Sequence, residues 1–439
     1  MAACAVAGTG PTKVSMNAKF RIGFRLSTLA FLALLSAGLP REVSALPAAG
    51  SESAKGVPFT IEARAAVLMD QTTGRVLYEH NADELMIPAS LTKLMTLHLV
   101  YEKLAERSIS LQDVVTISTN AWALKQTPGS SLMLLEPGHI VTVEELMKGM
   151  MVSSGNDAAT ALAEYVAGSK EKFVSLMNEE CRWMGYQNMH FTDPAGVKHT
   201  NAVSARDFAD FCRRYIDFHP ESLEQILSVR EFEYPQPWNV PETWPESRKQ
   251  SIKPVKQHNP NFMTWTGIDG LKTGHLDEEN FTAAITMKRG DTRLIAVILG
   301  VSGKTLDEGY RKRATDTLTL LRYGLRTYST MAPDLPALQD LRVWQGERDS
   351  VGIEAIKPLQ VTVSPAEQDE ITYSLEIPES VIAPVQRGQR LGYLVFHSGE
   401  TEIARYELQA SETVEAAGIV KRVWDALIMR VDSIFGGAG

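Results

Sequence analysis

Ile87-Pro88-Ala89-Ser90-Leu91-Thr92-Lys93-Leu94-Met95-Thr96 decides the fold, because strand-like patterning lies before it and helical patterning after it. Upstream, Ala65 to Asp70 and Arg75 to Glu79 are short apolar-rich runs split by Gln71-Thr72-Thr73-Gly74, a hairpin signal that opens a sheet. Downstream, Leu91, Leu94, Met95 and His98 recur at helical spacing, as do Leu146 to Met151 and Ala158 to Val166, so helices fill the region from about Ser90 to Tyr215. Strands return between Gly267 and Gly300, where Phe281 to Met287 and Arg293 to Leu299 flank the turn Arg289-Gly290-Asp291. Arg313 to Tyr328 reads as a closing helix. Sheet, helices and sheet again predict an α+β layer architecture, in which sequence-distant strands pair over one core.

The texture changes after Met331-Ala332-Pro333-Asp334-Leu335-Pro336, which reads as a linker. Short alternating segments follow at Leu359 to Val363, Ile371 to Ile377, Leu391 to Phe396 and Ile403 to Leu408, the pattern of a small all-β domain. In the tail, Ile419, Val420, Val423, Trp424, Leu427, Ile428, Val431, Ile434 and Phe435 fall on one helical face, with Lys421, Arg422, Asp425, Arg430 and Asp432 opposite. The expected organisation is a signal at 1–45, a catalytic domain at 56–330, a β domain at 337–410 and an amphipathic helix at 413–436.

A chain of 439 residues, 44% apolar and 22% charged, is long enough for two or three domains and too apolar to be mostly disordered. Its 44 basic and 53 acidic residues leave a formal charge of -9 with no basic tract, which argues against a nucleic-acid partner. Three cysteines, Cys4, Cys181 and Cys212, none in a CxxC pair and none near a histidine cluster, argue against a disulfide framework and against a structural zinc site. The two downstream of the signal lie in helical stretches and are expected to be buried free thiols.

Lys13, Lys19, Arg21 and Arg25 precede an apolar run from Leu26 to Leu39, and Val43-Ser44-Ala45 supplies small residues at a cleavage site. The run is about 14 residues, short of the ~20 that cross a bilayer, so it reads as a secretory signal cleaved after Ala45. Met16 offers an alternative start that gives a more usual signal length.

Three short motifs carry the chemistry. Ser90-Leu91-Thr92-Lys93 is SxxK at the start of a helical pattern, which sets a hydroxyl and an amine one turn apart on one face. Lysine activates a serine only if desolvation or neighbouring cations lower its pKa, and the apolar neighbours here predict a buried helix. SxxK alone is a weak signal: Ser169-Lys170-Glu171-Lys172 also matches, in a polar stretch that reads as a solvated helix start. Ser154-Gly155-Asn156 is the second element, open to a helix-capping reading on its own, and Ser118-Thr119-Asn120 is a rival match that reads as a cap. Lys272-Thr273-Gly274 is the third, on the strand-like run Gly270 to His275, where glycine lets a substrate backbone approach the strand edge. Chance supplies single matches readily, but not the ordered set on a buried helix and a strand.

With this set the sequence resembles the penicilloyl-serine transferases. In Ile87 to Thr96, Val152 to Gly168, Asn188 to Gly196 and Asp269 to His275 it is similar to the low-molecular-weight penicillin-binding proteins that are D-alanyl-D-alanine carboxypeptidases. The likeness runs from about Phe59 to the C-terminus. It implies a β-lactamase/transpeptidase-like fold, with removal of the terminal D-alanine from peptidoglycan stem pentapeptides and covalent inhibition by β-lactam antibiotics. It also implies attachment to the periplasmic face of the inner membrane through the tail helix, with no metal or organic cofactor. Ser90 is the implied nucleophile, Lys93 its base and Ser154 the proton carrier to the leaving amine. Asn156, Lys272, Thr273 and Gly274 hold the substrate, while the backbone N–H groups of Ser90 and His275 form the oxyanion hole. Arg313 matches the position of a second cation for the substrate carboxylate, with Arg311 two residues away as its rival.

Two other readings compete. A β-lactamase would need a glutamate loop of ExxLN type between Ser154 and Lys272, and no such pattern occurs there. A catalytically silent peptidoglycan-binding protein would not need the intact serines and lysines. The chain departs from the family pattern between Glu231 and Asn259, where tryptophans and prolines lengthen a connection that reads as a surface loop packed on its own aromatics, or else as a flap.

Overall fold

The computed structural model describes residues 57–260, 267–335 and 338–435. The signal at 1–45 lies outside the described residues, as do Pro336 of the linker and residue 436 of the expected tail helix.

Five antiparallel strands form the central sheet: β1 (Ala65–Asp70), β2 (Val76–His80), β3 (Ile268–His275), β4 (Phe281–Arg289) and β5 (Thr292–Val301), in the spatial order β2-β1-β5-β4-β3. β1 pairs with β5 from Ala65 opposite Leu299 to Asp70 opposite Leu294, so the two ends of the domain's sequence share one sheet as expected. Every residue of β1 is buried, because the sheet is covered on both faces. Ala65, Val67 and Met69 point into the helical core, while Ala66 and Leu68 pack with Leu320, Leu321 and Leu325 of the closing helix Leu306–Thr327. This alternation is the two-residue period of a strand read by two cores at once. Each fully buried leucine stabilises the layer by roughly 1.5–3 kcal/mol before ordering costs.

Five helices fill the middle of the sequence: α1 (Thr92–Ala105), α2 (Val143–Val152), α3 (Asn156–Ala167), α4 (Lys170–Trp183) and α5 (Ala205–Phe218). Thr92 to Tyr101 are all buried, which makes α1 the central helix, with only its last turn reaching solvent. Cys181 and Cys212 are buried free thiols, and burial pushes Cys181 up to about 12 and Cys212 well above the ordinary thiol range, so neither is a nucleophile at neutral pH. Ser169 caps α4 by accepting from the Lys172 N–H at 3.2 Å, the solvated start its polar setting predicted. Ser118 caps no α-helix; its hydroxyl accepts the Asn120 and Ala121 N–H groups in a turn and donates to Glu164.

The small β domain has two cores of its own, one around Leu341, Val343, Val385 and Val414 and one around Val361, Leu394, Phe396 and Leu408. Its main sheet runs Ile353–Ala355, Thr401–Ala410, Arg390–Ser398, Ile371–Glu376. Leu341–Trp344 and Ser380–Ile382, too short to show alternation in sequence, form a parallel pair beside it. The domain does not end at 410: Val414 bridges to Val385 and the Ala417 N–H donates to Gln345 O, so the terminal helix starts only at Ile419. Strand Ser329–Met331 pairs with Val361–Val363, and Arg75 reaches across to Thr362 O at 2.6 Å and to Glu367, joining the β domain to the catalytic one.

The excursion from Glu231 to Asn259 is more regular than a loop. Glu231–Tyr234 pairs antiparallel with Val255–His258, and the fully buried Tyr234 hydroxyl lies 2.6 Å from His139 Nδ1. Trp244 covers Gly138 and carries the Arg248 guanidinium over its ring at 3.5 Å. Tyr234 and Trp244 thus pack the segment against Gly138 and His139 outside it, with Trp238 left exposed and its Nε1–H donating to Glu145.

Candidate active site

Ser90 sits on the single 3-10 turn Ala89–Leu91 that leads into α1, and Lys93 lies in the first turn of that helix. Lys93 Nζ is 3.1 Å from Ser90 Oγ, and it donates to Asn156 Oδ1 at 2.7 Å and to Ala195 O at 2.6 Å. Ser154 Oγ lies 3.1 Å from Ser90 Oγ on the other side. The Ser90 hydroxyl is therefore held between an amine and a second hydroxyl. Ser154 and Asn156 cap nothing: Gly155 occupies the N-cap position of α3, Asn156 is its first residue, and the Ser154 hydroxyl is turned to Ser90.

Two backbone positions beside these hydroxyls are in the left-handed region without being glycine, Ala89 at φ 48° and Ser154 at φ 58°. Each costs on the order of 1–3 kcal/mol and persists where surrounding packing over-determines it. Thr282 Oγ1 donates to Pro88 O at 3.1 Å, tying the turn to β4, and Ala89 and Leu91 are completely buried.

Lys93 is buried, and desolvation pulls its amine down to about 7 while the carboxylates of Asp193 and Asp157 oppose the shift. Lys272 is equally buried on β3; desolvation first, then Lys93 and Arg313, hold it well below the usual lysine range. Of the two ways to lower a lysine pKa, loss of water is the one at work on Lys93. Lys272 Nζ donates to Thr273 O at 2.8 Å. Gly274 shows why this strand ends its motif without a side chain: a Cβ there would meet Thr282 Oγ1 at 2.5 Å and Ser90 N at 2.9 Å. β3 therefore presses directly on the nucleophile turn. The His275 ring packs at a 35° tilt against Phe281, 4.4 Å between centroids, so its side chain is engaged in aromatic packing.

Arg313 is buried on the closing helix, and its Nη1 donates to Gly274 O at 3.0 Å; burial pulls it down to about 10. Arg311 is exposed, and its Nε donates to Asp307 O within its own helix. Of the two arginines, Arg313 is the one brought to the strand that carries Lys272, Thr273 and Gly274.

Residues 51–303 match the family described as D-alanyl-D-alanine carboxypeptidase, more than half of the chain, and residues 334–416 match the C-terminal domain of penicillin-binding protein 5. The chain belongs to the D-alanyl-D-alanine carboxypeptidase family. It is 34% identical over 387 residues to D-alanyl-D-alanine carboxypeptidase DacC of Escherichia coli, covering 86% of this chain and 90% of that one. Penicillin-binding protein 5 of Haemophilus influenzae superposes with a TM-score of 0.68 at 30% identity, over 82% of this chain and 99% of that structure. Penicillin-binding protein D2 of Listeria monocytogenes, solved with ampicillin bound, matches at a TM-score of 0.50 and 26% identity, over 61% of this chain and 99% of that one.

Within this D-alanyl-D-alanine carboxypeptidase family member, four residues of the site escaped the motif reading. Asp193 is buried and accepts the N–H groups of Ala195, Gly196, Val197 and Lys198, which bends the Asp193-Pro194-Ala195-Gly196 turn so that Ala195 O meets Lys93. Gly196 has φ +82°, and a Cβ on it would lie 1.8 Å from Ala89 O. Asp157 accepts from the Met133, Leu134 and Leu135 N–H groups and so fixes the strip of chain beside Ser154 and Asn156. Asp-Pro-Ala-Gly is a turn signal by composition, but nothing in sequence points its carbonyl at a lysine 102 residues away.

Proposed function

We propose that this chain cleaves the bond between the two terminal D-alanines of a peptidoglycan stem pentapeptide through an acyl-enzyme on Ser90. The observation that carries the reading is the file Lys93–Ser90–Ser154, with the buried amine pulled to about 7 and each hydroxyl contact at 3.1 Å. Neutral Lys93 takes the proton of Ser90 Oγ as that oxygen attacks the penultimate carbonyl. The oxyanion is received by the backbone N–H groups of Ser90 and His275, each such donor contributing about 3 kcal/mol in comparable sites. The proton passes to the leaving D-alanine amine by way of Ser154, and water then hydrolyses the ester. Asn156 steers both Lys93 and the substrate amide. Lys272 and Thr273 take the terminal carboxylate, whose negative charge opposes the desolvation that holds the Lys272 amine below its ordinary range. Arg313 braces Gly274 from behind and adds positive field at the same carboxylate. A β-lactam enters the same route and stops at the ester, so β-lactam antibiotics are covalent inhibitors.

Attachment to the periplasmic face of the inner membrane is part of the same proposal. Ile419, Val420, Val423, Trp424 and Leu427 of the terminal helix are exposed, whereas the buried Asp425 accepts from the Gln345 N–H at 2.7 Å and Lys421 donates to Gly346 O at 2.6 Å. The polar residues thus grip the β domain and the apolar stripe faces outward, which supports an interfacial helix. No helix among the described residues is long and apolar enough to cross a membrane.

The test is released D-alanine from a purified pentapeptide together with fluorescent-penicillin labelling. Ser90→Ala loses both while remaining folded; labelling that survives in Ser90→Ala rejects the assignment.

A further inference from the structure

At the far end of α1 from the nucleophile, His98 Nδ1 and His219 Nε2 approach to 2.8 Å, and Glu102 Oε1 lies 3.6 Å from that same His219 nitrogen. All three donor atoms fall within 4.8 Å of one another. His98 and Glu102 are four residues apart on α1 and therefore share one face of it. His219 closes α5 as its C-cap residue. The two histidines are 121 residues apart in sequence, which is why no metal motif was legible there.

We propose that His98, Glu102 and His219 form a zinc-binding site that clamps α1 to the end of α5. Zinc with imidazole nitrogens at about 2.0–2.1 Å and tetrahedral angles sets its donors about 3.3 Å apart. The two separations seen, 2.8 Å and 3.6 Å, bracket that value, so the ion enters with shifts of about half an ångström. The other ring nitrogen of His98, Nε2, lies 3.1 Å from Glu180 Oε1 on α4. A carboxylate on the remote N–H is the usual support of a metal-bound imidazole, since it fixes the tautomer that leaves Nδ1 free as a donor. The rings are held by their walls: His219 stacks on Tyr101 at 4.9 Å and His98 meets Phe211 edge-on at 5.9 Å.

Both histidines are almost wholly buried, while the Glu102 side chain is 43% exposed, which leaves an access route for the ion on that side. Binding requires the His219 proton to sit on Nδ1. Two imidazoles and one carboxylate with an open position suit zinc, and cobalt(II) as its spectroscopic substitute.

The experiment uses the tag-free mature chain, stripped by a chelator and titrated with Zn²⁺ in a calorimeter and with Co²⁺ in a spectrophotometer. The expected results are one Zn²⁺ per chain, a rise of a few degrees in the unfolding temperature at saturating zinc, and the intense visible bands of tetrahedral Co²⁺. Glu102→Gln, half-exposed and tolerant, weakens binding at least tenfold with the apo unfolding temperature and penicillin labelling unchanged, and His219→Asn removes the Co²⁺ bands. Absence of stoichiometric binding, six-coordinate pale Co²⁺ only, or binding that survives both substitutions overturns the proposal and leaves a hydrogen-bonded histidine pair.

Discussion

Asn156 Oδ1 accepts from Lys93 Nζ at 2.7 Å, a shorter contact than the 3.1 Å from the same nitrogen to Ser90 Oγ. Together with Ala195 O at 2.6 Å it anchors the amine, so that the free direction of Nζ is toward the nucleophile. The pH dependence follows from the charge of this one group. Lys93 must be neutral to act as base, and burial brings it to about 7 from 10.5. Acylation of Ser90 by a penicillin should rise with pH through about 7, falling about tenfold per pH unit below it. A rate that is flat from pH 5 to 9 rejects Lys93 as the base. The same shift has a stability consequence. The folded amine holds its proton more weakly than the unfolded one, so its contribution to stability increases between about pH 7 and 10.5 and is absent as a gain below that window.

Gly196→Ala tests the contact between the Asp193 turn and the nucleophile. The added Cβ would sit 1.8 Å from Ala89 O at a backbone angle that L-residues avoid. A lower unfolding temperature and a loss of at least tenfold in acylation rate are expected, since the shift moves the carbonyl that holds Lys93 as well as the turn that holds Ser90. Stopped-flow labelling alongside a thermal melt measures both; wild-type values for each would mean that the turn is not rigid.

Arg313→Ala and Arg311→Ala should separate cleanly. Arg313 is buried against Gly274 O, and Arg311 donates to Asp307 O within its own helix. Loss of Arg313 raises KM for a pentapeptide by tenfold or more, through the carboxylate field and the strand position together. Arg311→Ala leaves hydrolysis as it is. The reverse ranking would move the second cation to Arg311.

Truncation after Gly418 addresses the tail. A cut at Ala410 would also strip Val414 and Ala417, which bridge back into the β domain, so the later cut isolates the helix. The truncated protein should leave the membrane fraction while labelling with penicillin at the full rate. Membrane association that persists places the anchor elsewhere in the chain.

Much of the site was legible because its chemistry is local. SxxK on a helix puts two side chains on one face whatever surrounds them, and the run of apolar residues from Leu91 to Leu97 already implied that Lys93 would lose water. The strand carrying Lys272, Thr273 and Gly274 was legible for the same reason, as was the hairpin around Gly290. Ser154 and Asn156 were ambiguous between caps and catalysis until Ser90 and Lys93 were seen 64 and 63 residues away in sequence but within bonding distance. The short strands of the β domain were missed because two to four residues carry no readable period.

The sequence by itself determined the order of the longer elements, the helix that holds Ser90 and Lys93 and the positions of the three motifs, because each depends on periodicity or side-chain type within a dozen residues. The tertiary structure alone decided which acceptors hold Lys93, which arginine reaches the substrate strand, which face of the tail helix is free, and that two distant histidines converge beside Glu102. Those are contacts between elements whose approach is set by burial on both sides of one sheet. Packing of that kind sums many weak and non-local terms that no local pattern records.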